Sequence, residues 1–172
     1  MIILKIIISI AIVTLTGYIG YLKALKLRKR EYILRDMVTF LGLVKNEIKY
    51  MLSVLPNAYE VSRQKLNTDL NIVIGQIVVD MLTFDNLSLI EKSMVDNFAK
   101  LEELTEYDKN VCISTLKNLG RSDIDGQINI IDNAISILEN QIKEANEIKN
   151  NNSKVYKTVG TIAGIMIVII FI

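Results

Sequence analysis

The chain has no histidine, no tryptophan, one proline and one cysteine in 172 residues. Each scarcity excludes something. Without histidine the usual general base near neutral pH is missing, as is the commonest metal ligand. A single cysteine, Cys112, cannot close an internal disulfide, so the fold needs no oxidising compartment. It stands in a helical pattern with Val111, Thr115 and Leu116, where a small buried thiol is expected. One proline leaves long helices unbroken.

What the chain has in quantity is hydrophobicity. Half of its residues are apolar, and the mean hydropathy of +0.33 is high for a water-soluble domain. The excess gathers at the two ends. Ile6 to Leu22 carries no charge, and with residues 1–5 it reaches about 30 Å as a helix, one bilayer core. Lys5 is close enough to the end to snorkel toward headgroups. A cleaved signal peptide fits poorly: the leading residues are almost uncharged, no A-x-A site follows, and the positive charges come after the apolar run. The other end, residues 155–172, is apolar all round, with Lys154, Tyr156 and Lys157 where interface anchors belong. Gly160 and Gly164 there form a weak G-x-x-x-G. Three segments follow: a transmembrane helix over 1–22, a helical domain over 23–154, and a second transmembrane helix over 155–172.

Net charge is +1, unevenly spread. Residues 23–53 carry eight Lys/Arg and three Asp/Glu; residues 54–110 carry five and ten. The basic collar "KALKLRKR" after the first apolar run places the middle domain in the cytoplasm and both termini outside, and attracts anionic lipid. A nucleic-acid binder would show a broad basic face, which this chain lacks.

The middle reads as all-α, a bundle of about six helices. From Leu34 the apolar positions Leu34, Val38, Leu41, Val44, Ile48, Met51 or Leu52 and Leu55 recur in steps of three and four, continuing from the first span. Pro56 interrupts them, and Ser53 or Leu55 caps a short helix over 57–66. Residues 70–82 are rich in β-branched side chains, but no second strand is at hand, so a helix is expected. "SLIE" (Ser88–Glu91) has the form of a capping box for a helix to about Leu104, and Thr105 opens another ending at Leu119. Ile124, Ile128, Ile131, Ile135, Leu138, Ile142 and Ala145 make a helix-packing seam, and "KNNNSK" (149–154) carries that helix to the second span.

The polar pause "NLGRSDIDGQ" (118–127) is the one place where a chemical site could hide. Gly120 suits a left-handed helix end, Ser122 an N-cap, and Asp123 and Asp125 the first turn of the next helix. Two carboxylates at i,i+2 share no helix face, and no phosphate-binding glycine motif is present, so neither a metal nor a nucleotide is expected. Arg121 and Gln127 are left without a structural task. No nucleophile–base pair occurs, and the reading is non-enzymatic, without cofactor or small-molecule substrate. The candidate partner interface is the acidic stretch 80–108, with Glu102, Glu103 and Asp108, joined by Arg121 and Gln127 at the corner.

The same stretch, Leu119-Gly120-Arg121-x-Asp123-x-x-x-Gln127 leading into Leu138-Glu139, resembles the stage III sporulation protein AB family. Thr16-Gly17, Glu47-Ile48 and Tyr50 also look like family positions. The family often has a proline about four residues after that tyrosine; here Val54 occupies it and Pro56 follows, which shifts the start of the second helix. The resemblance implies a two-pass protein of the mother-cell membrane, part of a secretion-like channel to the forespore. It further implies a cytoplasmic domain similar to the type II secretion platform protein, and stage III sporulation protein AA, an ATPase, as partner. The competing class is a membrane-anchored helical sensor or receptor, whose bundle would face outward.

Overall fold

The computed structural model describes residues 2–171, except for the side chains of 2–10, 153, 154, 157, 160, 161, 164, 170 and 171. Six helices follow one another among these residues: α1 (Ile2–Tyr50), α2 (Leu55–Arg63), α3 (Leu70–Thr83), α4 (Leu87–Ala99), α5 (Glu106–Asn118) and α6 (Ile124–Phe171). The all-α expectation holds, and residues 70–82 are helical despite their β-branched content. The chain divides into two units: Met1–Lys29 with Glu144–Ile172, and Arg30–Lys143. The division falls within the 23–154 range expected for the helical domain.

The Arg30–Lys143 unit has a continuous apolar core. Leu34, Met37, Phe40, Leu41 and Val44 of α1, Tyr59 of α2, Ile74 and Ile77 of α3, Phe98 of α4, Leu116 of α5 and Ile131 and Leu138 of α6 are all buried. Successive helices pack against each other from α2 to α5. Side chains pin the elements. Arg63 donates to Glu60 Oε2 (2.6 Å) and to Asn71 Oδ1 (2.9 Å), joining α2 to α3. Hydrogen bonds from Arg63 hold the Glu60 carboxyl below its ordinary range. The small stability this half-buried, solvent-screened pair contributes is therefore complete above that range and lost as pH falls through the lower folded value. Asp36 Oδ2 accepts the backbone N–H groups of Asn67 (2.9 Å) and Thr68 (2.8 Å), fixing the α2–α3 loop. Lys45 donates to Asp132 at 2.6 Å, tying α1 to α6.

Tyr59 is the one imperfect fit among these core residues. Its ring meets Phe40 edge-on at 5.3 Å, but its buried hydroxyl finds no partner among the described residues, and burial pushes its pKa up. An unsatisfied buried hydroxyl costs about 1–3 kcal/mol. Tyr59→Phe should therefore raise the unfolding midpoint of the full chain; a drop would mean that the hydroxyl is bonded in solution.

Three details of the helix ends differ from expectation. α4 is capped by Asn86, whose Oδ1 accepts Ser88 N–H at 2.8 Å, so the Ser88–Glu91 capping box does not form. The reason is position: Ser88 already lies inside the first turn. α6 begins after Asp123, whose Oδ1 accepts Gly126 N–H at 2.9 Å; the cap is Asp123 and not Ser122. α2 starts at Leu55 behind Val54, with Pro56 in its first turn and no side-chain cap, so neither Ser53 nor Leu55 serves as one.

In the other unit Ala24 and Ala145 are buried, and the Lys23 ammonium lies 5.9 Å from the Tyr156 ring centre. Among the described residues no helix is long and apolar enough to cross a membrane. The side chains of residues 1–10 and many of those in 153–172 lie outside the described set, and with them much of both expected spans.

Candidate partner-docking site

The five interface candidates separate in the structure. Asp108 is not on the surface. It is fully buried, taking Arg30 Nε at 2.8 Å and Arg30 Nη2 at 3.2 Å on its two oxygens. It also accepts Thr105 N–H at 2.9 Å, while Thr105 Oγ1 accepts Asp108 N–H at 3.1 Å, the reciprocal cap that starts α5. Arg30 Nη2 reaches on to Gln141 Oε1 at 3.1 Å. The Arg30 guanidinium thus joins α1, α5 and α6. Glu102 and Glu103 sit in the α4–α5 connection, Glu102 exposed and Glu103 half-buried.

Arg121 and Gln127 both belong to the corner between α5 and α6. Gln127 spans it: its Oε1 accepts Gly120 N–H at 3.1 Å, and its Nε2 donates to Ser122 O at 3.0 Å. That is the structural task the sequence left open. Gly120 turns the chain at φ +81°, and a Cβ there would stand 2.7 Å from Leu55 Cδ1. Arg121 pairs with Glu91 of α4, as does Lys117 at 3.4 Å. The corner is therefore bolted to α4 by charge and to α2 by a leucine lying on a glycine.

What the sequence did not reveal is the surface around this corner. The end of α1, the start of α2, the end of α3, the start of α4 and the α5–α6 turn come together here. Two adjoining grooves, of about 420 and 210 Å³, share Leu55, Met81 and Gly120 in their walls. Large apolar side chains of their walls stand out: Leu52 is 70% exposed, Val54 72% and Leu87 68%. Met51 or Leu52 is expected in the buried stripe of α1; both are in water, because α1 stops at Tyr50 and the helical period ends with it.

Leu52 also has a backbone that L-residues avoid, φ +52°. The left-handed step lets Ser53 fold back on Glu47: Ser53 N–H reaches Glu47 O at 3.2 Å and Ser53 Oγ donates to Glu47 Oε2 at 2.9 Å. Glycine is the usual residue at such a helix end, and a leucine there costs about 1–2 kcal/mol. The signal that could have exposed this surface was available in part. Leu82, Phe84 and Leu87 flank a turn, where apolar side chains have no core to enter.

A family model described as stage III sporulation protein AB matches residues 5–172. The chain belongs to the stage III sporulation protein AB family. The resemblance seen in Gly120, Arg121, Asp123 and Gln127 thus extends over the chain. In this family member at least two of those residues, Gly120 and Gln127, act by shaping the α5–α6 corner. No curated protein and no solved structure matches it. A role in sporulation follows from the family.

Proposed function

We propose that this family member is a non-enzymatic membrane platform of the mother cell, carrying its helical domain in the cytoplasm and docking stage III sporulation protein AA together with other subunits of a channel to the forespore. The observation that carries the reading is the family match over residues 5–172. Two further features support it. The terminal unit turns apolar side chains outward, among them Leu15, Ile19, Ile162, Met166 and Ile169, as lipid contact would favour and water would not. The Arg30–Lys143 unit has its own core, enough to stand as a docking body.

The test is capture. Full-length chain bearing an affinity tag, in detergent micelles, should retain purified stage III sporulation protein AA on a column while an unrelated two-span membrane protein does not. Equal retention by both would contradict direct docking. The receptor reading differs on which side the bundle lies, which labelling from the two sides of the membrane decides.

A further inference from the structure

We infer that the apolar surface formed by Leu52, Val54 and Leu87 over the Leu55–Met81–Gly120 grooves is a docking site for an amphipathic helix of a partner protein, apolar along one face and rich in lysine or arginine along its flanks. This deepens the platform reading and rests on it for the partner's place in the complex.

Three observations lead there. First, the exposed apolar side chains are gathered from several helix ends beside grooves, unlike scattered surface leucines, and such clusters on soluble faces mark contact surfaces. Second, Leu52 is held in a left-handed conformation with its side chain in water, so the fold tolerates strain at a residue that packs against little of its own chain. Third, the charge around the surface is in acidic excess, three exposed aspartates and Glu91 against two cations. Asp85 in the α3–α4 turn and Asp123 and Asp125 at the start of α6 are exposed. The nearby cations Arg121 and Lys117 are both engaged by Glu91.

Charge selects the occupant. A second copy meeting this surface about a two-fold axis would bring Asp85, Asp123 and Asp125 near their own images. Anionic lipid would meet the same repulsion. A helix with an apolar face and basic flanks finds both complements: leucine-type side chains for the grooves, and ammonium or guanidinium groups for the rim.

The experiment uses the full chain in zwitterionic phosphatidylcholine nanodiscs, with empty nanodiscs as background, and two labelled amphipathic peptides of identical pattern, one Leu/Lys and one Leu/Glu. The Leu/Lys peptide should bind about tenfold or more tighter, and added salt should weaken it. Val54→Ser with Leu87→Ser should lose that binding with unchanged helicity by circular dichroism, since both side chains are already in water. Asp85→Lys should reduce it separately. Leu52→Asn should raise the unfolding midpoint while weakening the peptide, a pairing that damage to the fold cannot produce. Equal binding of the two peptides would overturn the proposal. So would unchanged binding by the double serine variant, a concentration-dependent dimer that this variant abolishes, or adsorption to anionic vesicles that it abolishes.

A parallel arm keeps the two readings apart. If stage III sporulation protein AA is captured by the wild-type chain and equally by the double serine variant, the platform stands and its assignment to this surface falls. The assignment falls in the same way if capture is lost only in Glu102→Lys with Glu103→Lys. If the Leu/Lys peptide behaves as stated but the ATPase is not captured at all, the surface stands and the ATPase reading falls.

Discussion

Asp108→Ala should destabilise the full chain by about 3–5 kcal/mol, seen as a fall in the denaturant midpoint with little change in slope. The magnitude comes from what is left behind. Arg30 is only 6% exposed, and its guanidinium is oriented by two hydrogen bonds to Asp108. Removing the carboxylate takes the bidentate counter-charge from a buried guanidinium, and the neutral Gln141 contact does not replace it. It also frees Thr105 N–H and so removes half of the cap that begins α5. Asp108→Asn retains an acceptor for that N–H and should lose less. Replacing both partners, Arg30→Met with Asp108→Leu, should recover most of the loss, because a buried pair balances a desolvation cost that two apolar side chains never incur. A double variant as unstable as Asp108→Ala would show that the pair does more than neutralise itself.

Gly120→Val should cost about 2 kcal/mol or more, and should be felt at the α5–α6 corner before it is felt in the core. Two penalties add. At φ +81° a β-branched residue is strained wherever it is placed, and the new Cβ would lie 2.7 Å from Leu55 Cδ1. The leucine can swing aside, since the clash is with the end of a flexible side chain, so backbone strain is the larger part. The swing has a consequence: Leu55 is a wall of both grooves. Amide exchange at Arg121–Gln127 should quicken more than at Leu34–Val44. Uniform quickening in both segments would mean that the corner and the core open together.

The helices were legible because their apolar positions keep the period of three and four that a core demands. Ile131, Leu138, Ile142 and Ala145 are buried along α6 as that period requires, with Ala134 taking a place beside half-buried Ile135. The stop at Gly120 was legible too, because only a residue without Cβ turns left-handed cheaply. Asp108 was not. Its burial depends on Arg30, 78 residues away in sequence, and no local pattern announces a pair of that separation. Leu52 was hidden for the opposite reason. An apolar residue three or four positions after the last buried one reads as the next step of the stripe, and only the break after Tyr50 turns it into water. Gln127 looked like a contact for something outside the chain, whereas it spans its own corner.

Cys112 makes the decisive topology measurement simple. It is buried, and burial, with the Asp108 charge close by, pushes its thiol pKa up, so the native thiol should not react with a membrane-impermeant maleimide. A cysteine introduced at Asp85, in the exposed α3–α4 turn, gives one reactive handle on the Arg30–Lys143 unit. In intact cells the Asp85→Cys chain should stay unlabelled, and in inverted membrane vesicles it should label fully while remaining in the membrane pellet after carbonate extraction. Labelling of intact cells, or release of the chain by carbonate, would contradict a cytoplasmic docking body anchored in the membrane.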